Sequence, residues 1–126
     1  MRIVTSKINL KKAKIRQLEK ATITSLEKTA DALHTDVIQA QVMPFDTGSM
    51  QNDNTYVDYN DAKQGKISLI TNTPYARRMY YHPEYNFQRT QNANAQGRWL
   101  DAWKSGKKKK FCKEKFIEFY KKEAGL

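Results

Sequence analysis

The longest regular pattern of apolar positions lies near the start of the chain. Between residues 12 and 41, apolar side chains recur in steps of three and four, which is the repeat of one helix face. They are Ile15, Leu18, Leu26, Ala30, Leu33, Val37 and Ala40, with Thr22 in the one gap. Pro44 predicts the helix end, because the residue before a proline is displaced from the helical conformation. A helix of about 30 residues spans roughly 45 Å, so we expect part of its stripe to meet a partner subunit.

Two short segments of strand-forming residues follow this helix. Residues 56–59 contain two tyrosines and a valine, and in residues 66–72 Ile67 and Leu69 share one face at a period of two. The turn-forming residues 60–65 lie between them. The pattern predicts a β-hairpin. Two strands alone are marginally stable, so the hairpin must pack on the long helix or extend into a larger sheet, within the chain or with a neighbouring subunit.

A short helix and a long loop are predicted next. Pro74 suits the first position of a helix that continues to Tyr81 and places Ala76 and Tyr80 on one face, and His82-Pro83 ends it. Residues 82–97 are polar and rich in Asn, Gln and Arg, which is typical of a loop.

Helical spacing returns in the last quarter of the chain. It begins at Trp99, Leu100 and Trp103, is interrupted at Gly106, and resumes in a C-terminal helix that ends before Gly125. The apolar stripe of that helix consists of Phe111, Cys112, Phe116, Phe119 and Tyr120. The chain is therefore predicted to be one α+β domain over residues 1–126. It has a long N-terminal helix packed on a small antiparallel β-sheet, a short middle helix and a C-terminal helix.

Charge is distributed unevenly along the chain. Its 126 residues include 23 Lys and Arg against 13 Asp and Glu, a formal charge of +10. Residues 1–20 and 104–126 each have a net charge of +6, whereas the middle has −2. A basic protein suggests nucleic-acid binding, but here the excess belongs to the two ends, including the N-terminal segment 1–11. No apolar run reaches the roughly 18 residues of a membrane span or forms a signal peptide, so we expect folding in the cytosol and no membrane contact.

Candidate catalytic and metal-binding residues are few. His34 and His82 have no cysteine or carboxylate at ligand spacing, which argues against a metal site. Because Cys112 is the only cysteine, an intramolecular disulfide is excluded. Its place on an apolar stripe indicates that Cys112 is a small buried residue and not a nucleophile.

The triplet Asp46-Thr47-Gly48 also occurs in aspartic proteases, but a second carboxylate could come only from a homodimer. Its place after a helix and Pro44 favours a tight turn, in which Asp46 bonds to the backbone and Gly48 permits a positive φ.

Two further groups of side chains are candidates for contacts with partners. The basic run Lys107, Lys108, Lys109 and Lys110 has no groove-reading motif beside it and is typical of a solvated helix start or a weak electrostatic contact. Seven aromatic residues concentrate in one stretch: Tyr75, Tyr80, Tyr81, Tyr85, Phe87, Trp99 and Trp103. They form either the core of the domain or a protein interface, where Tyr, Trp and Arg are enriched.

Three separated blocks stand out: residues 43–50 (Met-Pro-Phe-Asp-Thr-Gly-Ser-Met), residues 73–81 (Thr-Pro-Tyr-Ala-Arg-Arg-Met-Tyr-Tyr) and residues 92–99 (Asn-Ala-Asn-Ala-Gln-Gly-Arg-Trp). In order and spacing they resemble blocks of the minor capsid, or neck, proteins of tailed bacteriophages. The resemblance extends over about residues 10–122. Ala93 departs from it, since the family often has proline there, and the lysine run matches no family feature.

The resemblance implies a structural protein of the virion neck, assembled in the host cytoplasm, with no enzymatic activity, cofactor or metal. It implies a cyclic homo-oligomer, a hexamer or dodecamer, that adjoins portal-side connector and tail proteins and has DNA passing through its lumen. Pro44, Asp46, Thr47 and Gly48 would form the turn from helix to sheet. The core and subunit interface would include Tyr75, Ala76, Arg77, Tyr80, Tyr81, Trp99 and Trp103. Two alternatives stay open: a small basic DNA-binding or packaging accessory protein, and a homodimeric protease.

Overall fold

The structure is a computed structural model that describes residues 12–44, 51 and 54–126, with side chains from residue 16 onward. The basic segment 1–11 and the predicted turn at Asp46, Thr47 and Gly48 lie outside these residues. The elements in chain order are α1 (Lys12–Gln39), β1 (Thr55–Asp58), a 3-10 turn (Ala62–Gln64), β2 (Ser68–Thr71), α2 (Ala76–Tyr80), α3 (Asp101–Lys104) and α4 (Phe111–Ala124). The predicted α+β fold, with its long N-terminal helix, antiparallel pair of strands and C-terminal helix, is confirmed.

The helix α1 ends for a different reason from the one predicted. The helix ends at Gln39, and Gln41 adopts a left-handed conformation with φ of 56°. A left-handed residue after the last turn reverses the chain, so the helix is already finished before Pro44 restricts Met43. Pro44 itself is buried next to Met43, whose side chain is fully buried.

The most buried side of α1 is only partly the predicted apolar stripe. Val37 is fully buried, but the other fully enclosed positions are Ala21, Ser25 and Thr29. The hydroxyls of Ser25 and Thr29 donate to the carbonyls four residues earlier, at 2.6 and 2.7 Å. This local bonding satisfies a buried hydroxyl without any tertiary partner, so small polar residues can occupy the packed face. The predicted Leu18, Leu26, Ala30, Leu33 and Ala40 are half-buried beside them.

The hairpin has one regular register. Val57 pairs with Leu69 and Thr55 with Thr71, and the hydroxyls of the two threonines are 3.1 Å apart. Gly65, with φ of 81°, closes the turn between the strands. Tyr59, just after β1, donates a hydrogen bond to Asp31 of α1, and this bond raises the pKa of Tyr59 to about 12. The hairpin is therefore fixed to the long helix, one of the two placements predicted for it.

The main helical partner of α1 is α4, which runs antiparallel to it. Lys28 pairs with Glu123 near one end of the contact, and Asp36 pairs with Lys108 at 3.0 Å near the other. As predicted, the helical region is interrupted around Gly106, and α4 ends before Gly125, which is left-handed with φ of 73°. The predicted stripe of α4 is half-buried, and only Ala124 of this helix is fully enclosed.

Candidate interaction surfaces

The three sequence blocks meet in one hydrophobic core. Met43 comes from the first block, Ala76 from the second and Trp99 from the third, and all three side chains are at most 5% exposed. The same cluster contains Val37, Val42 and Trp103. Described residues from all three blocks thus contribute side chains to one core.

Backbone hydrogen bonds connect the residues just before the first block to the third block. The amide of Asn94 donates to the carbonyl of Gln41 at 3.1 Å, and the amide of Gln96 donates to the carbonyl of Val42 at 3.0 Å. The side-chain amide of Asn94 donates to the carbonyl of Ala40 at 2.9 Å. The last carbonyls of a helix have no partner within it, so this part of the loop supplies the missing donors at the end of α1.

Asn92 is the buried member of this connection. Its side chain is 4% exposed, and its amide nitrogen donates to the carbonyl of Met43 at 2.9 Å and to Oε1 of Gln51 at 2.7 Å. The polar loop 82–97 contains no helix or strand, in agreement with the prediction, but its Asn92 is buried and holds the core segment around Met43.

The second and third blocks join through Arg98. Its backbone, with φ of 49°, donates to the carbonyl of Tyr80 at 2.8 Å, and its guanidinium lies 5.9 Å from the ring of Tyr80 and 5.7 Å from that of Tyr81. Arg98 also donates to Asp101 at 2.8 Å, and this bond is the main cause of the lowered pKa of Asp101. Burial, followed by the hydrogen bond to Asp101, raises the pKa of Tyr80 to about 12.

Close packing also fixes the path of the loop beside α2. A Cβ atom on Gly97 would lie 2.7 Å from the Cα of Pro83 and 3.1 Å from the carbonyl oxygen of Met79. No side chain fits at that separation, so glycine permits the close approach of the two segments.

The predicted interface residues divide into two groups. Ala76, Trp99 and Trp103 are buried core residues. Tyr75 and Tyr81 are 45% and 56% exposed, and Arg77 is exposed beside them, while Tyr80 is half-buried. The buried residues of the first group cannot contact another subunit directly and can only hold the surface residues in place. The exposed residues are available for direct contact.

An open groove of about 270 Å³ lies next to these exposed residues. Its lining consists of Leu69, Thr71, Ala76, Arg77, Tyr80, Tyr81, Trp99 and Leu100. It therefore combines aliphatic, aromatic and cationic groups, the composition typical of protein contact sites. We refer to it as the tyrosine groove.

The lysine run forms a turn before α4 and not the predicted start of that helix. Lys108 folds back: its ammonium lies 3.0 Å from the carboxylate of Asp36 and 5.1 Å from the ring of Trp103. The ammonium groups of Lys107, Lys109 and Lys110 are exposed and form no ion pair with any residue in the described ranges. One lysine of the run is thus structural, and three are available for contacts.

Asp36 receives two donors, which sequence reasoning did not anticipate. Nε1 of Trp103 donates to its carboxylate at 2.8 Å, together with Lys108. Burial acts to raise the pKa of Asp36, but the two hydrogen bonds and the charges of Lys108 and Lys115 outweigh it, so the pKa lies below its ordinary value of 3.8. These partners lie 67 and 72 positions away along the chain, and no local pattern signals such a contact.

The described candidates for catalysis, His34, His82 and Cys112, are not part of any grouped site among the described residues. His34 is half-buried within α1, and His82 is exposed beside Glu84 at 2.9 Å. Cys112 is half-buried, and burial raises the pKa of its thiol, which disfavours the nucleophilic thiolate. In the part of the chain that the structure describes, no three His, Cys, Asp or Glu side chains are grouped to hold a metal ion. No helix in those same ranges is long and apolar enough to cross a membrane.

No family model, curated protein or solved structure matches this chain in the comparisons.

Proposed function

We propose that this protein is a structural subunit of the head-to-tail junction of a tailed bacteriophage, a neck or tail-completion protein that forms a closed ring. In this proposal the ring is a hexamer or dodecamer located in the virion neck, between portal-side connector and tail proteins. The subunit has no enzymatic activity and binds no cofactor.

The observation that carries the proposal is the convergence of the three blocks. Met43, Ala76 and Trp99 are described residues of the three blocks that resemble the neck-protein family, and they are far apart in sequence and pack in one core. The exposed Tyr75, Arg77 and Tyr81 beside this core supply side chains typical of an interface.

The long pair of antiparallel helices supports an assembly role as well. At 28 residues, α1 extends roughly 42 Å, and the chain offers both exposed aromatic side chains and an exposed lysine turn. Closed rings require two different surfaces on each subunit, one for each neighbour, and a subunit of this shape has room for both.

The experiment is a measurement of assembly state on the full chain. Native mass spectrometry and electron microscopy should find particles of six or twelve times the 14.7 kDa subunit mass, alone or with portal and tail proteins. Tyr81→Ala should weaken the subunit contact about five- to thirtyfold, because an exposed tyrosine anchor at an interface contributes about 1–2 kcal/mol.

Tyr56→Ala is the matched control. Tyr56 is 43% exposed and lies on the hairpin, away from the tyrosine groove, so its removal should leave assembly unchanged. A chain that stays monomeric under all conditions and fails to associate with portal or tail components would overturn the proposal.

A second function has one specific observation in its favour. The unpaired Lys107, Lys109 and Lys110 could contact phosphates without sequence preference, as expected of a DNA-binding or packaging accessory protein. The salt dependence of DNA binding, treated in the Discussion, distinguishes this function from the first.

A further inference from the structure

One strand edge of the hairpin has backbone groups that are directed away from its partner strand. The amide of Asn72 donates to the carbonyl of Asn54 at 2.8 Å, which makes residues 54 and 72 a hydrogen-bonded pair. Such pairs alternate along an antiparallel ladder. With the observed register, Ser68 and Ile70 bond to β1, whereas the N–H and C=O groups of Leu69 and Thr71 are directed outward.

These outward groups are unused within the described ranges. The sheet there consists of β1 and β2, and no hydrogen bond joins the outward N–H or C=O of Leu69 or Thr71 to another described residue. An unpaired edge of this kind is a template for the backbone of another extended segment. The opposite edge, on β1, differs from this one, because Thr55 has further interactions of its own.

The tyrosine groove includes residues of this same strand. Leu69 and Thr71 line it together with Tyr80, Tyr81 and Trp99. A strand added to β2 would run about 4.8 Å from it, so its side chains on one face would enter the groove. Backbone bonds give affinity in this mode of recognition, and a side-chain pocket gives specificity.

The charges around the groove select the kind of occupant. Arg77 lines the groove, is exposed, and has no ion pair with any residue that the structure describes. Asp101, the nearby carboxylate, is already bound to Arg98 and Tyr80. An occupant that carries carboxylates therefore meets an available cation, and its approach is favoured by the +10 charge of the whole chain.

We propose that the free edge of β2 and the tyrosine groove bind an extended, acidic segment of a partner protein by β-strand addition. The segment pairs with the backbone of Leu69 and Thr71 and places a carboxylate against Arg77. The site shares Arg77 and Tyr81 with the proposed ring contact, but peptide binding tests it separately from the assembly state.

Selection from a displayed library of random 12-residue peptides on the full chain tests this site. The enriched peptides should carry Asp or Glu and lack proline at their centre. As synthetic fluorescent peptides they should bind in anisotropy measurements and slow hydrogen exchange at the Leu69 and Thr71 amides at least tenfold. Failure to enrich any peptide, or slowed exchange at other amides only, would overturn the proposal.

Two matched pairs of variants locate the contact. Thr71→Pro removes the outward N–H and should weaken peptide binding by about tenfold, the value of roughly one hydrogen bond, whereas Thr71→Val keeps that N–H and should bind as the parent does. Arg77→Glu should weaken binding by a similar factor, and Lys63→Glu, an equal change in the exposed hairpin turn, should not.

Circular dichroism and melting confirm that each variant is folded before binding is compared. Equal affinity of the parent, Thr71→Pro and Arg77→Glu for the enriched peptides would refute the site. Concentration-dependent self-association that Thr71→Pro abolishes would identify a second copy as the occupant and would also overturn the proposal of an acidic partner.

Discussion

The carboxylate of Asp36, in α1, connects this helix to α3 and to the turn before α4. It accepts hydrogen bonds from Trp103 at 2.8 Å and Lys108 at 3.0 Å. Trp103 is 7% exposed, so its indole N–H would lack a partner in the core if this carboxylate were absent. A donor left unsatisfied in a buried site costs more than an average hydrogen bond contributes.

Asp36→Asn should therefore lower the free energy of unfolding by about 1–2 kcal/mol at pH 7, through loss of a charge-assisted hydrogen bond. The effect depends on pH. The pKa of Asp36 is lowered in the folded protein, so the native state binds fewer protons than the unfolded state. The stabilisation is complete above the unfolded value of about 3.8 and is lost as the pH falls through the lower native pKa.

Urea denaturation of the parent and of Asp36→Asn at several values between pH 7 and pH 3 measures this difference. It should be constant down to about pH 5 and then decrease. Lys108→Gln is the control: it keeps the Trp103 bond and should cost less than Asp36→Asn. A difference that is absent at pH 7, or that persists unchanged at pH 3, would contradict the role assigned to the carboxylate.

At the scale of elements, the end of α1 depends on a loop more than 50 positions later. Asn94 and Asn92 bind carbonyls at and after the helix end, but Asn94 is exposed and Asn92 is 4% exposed. The same chemical group thus acts in water at one position and inside the core at the other. This contrast separates a replaceable hydrogen bond from one that water cannot replace.

Asn92→Ala should destabilise the fold by about 1–3 kcal/mol, because the carbonyl of Met43 loses its donor in a buried site. Asn94→Ala should cost only about 0.5–1 kcal/mol, since water can reach the exposed carbonyl of Ala40. Chemical denaturation of the two variants under the same conditions tests the order. Equal costs for the two substitutions would show that burial does not decide the strength of this connection.

The elements with local signals could be predicted from the sequence. Turn residues 60–65 between two apolar segments specify the hairpin, and Gly106 and Gly125 mark the limits of the last helical region, as observed. The tyrosines and tryptophans of the middle region are predicted to form the core or a protein interface, and Trp99 and Trp103 lie in the core. Their division between the two depends on tertiary packing, which sequence spacing does not specify.

The remaining features could not be predicted because their causes are not local. Gln41 has no intrinsic preference for a left-handed conformation, yet donors from Asn94 and Gln96 hold the chain there. Ser25 and Thr29 are polar by composition and are buried because each hydroxyl bonds to its own helix. Asn92 lies in a polar segment, and only the folded chain places it beside Met43.

At the scale of the whole molecule, the formal charge of +10 is divided between structural and available groups. Lys28, Lys108, Lys115 and Lys122 take part in ion pairs within the fold. Lys107, Lys109 and Lys110 project from one turn beside a groove of about 510 Å³ that also contains Asp36 and Glu114. The carboxylates in this groove reduce its attraction for a polyanion, which favours contact with a protein surface over tight DNA binding.

A salt titration of duplex DNA binding tests this balance. For the ring subunit we expect weak binding at about 150 mM salt, in the non-specific range of 10⁻⁴ to 10⁻⁶ M or weaker. The triple variant Lys107→Gln/Lys109→Gln/Lys110→Gln should leave that weak binding nearly unchanged and keep the melting temperature of the parent. Lys108→Gln removes one charge from the same run and should instead lower the melting temperature, because only Lys108 binds Asp36. The accessory-protein function predicts a different result. Duplex binding would be tight, and the triple variant would reduce the slope of log K against log salt by about 2.7, the value for three phosphate contacts. Both results together would show that the three lysines bind DNA and that the accessory-protein function is the correct one.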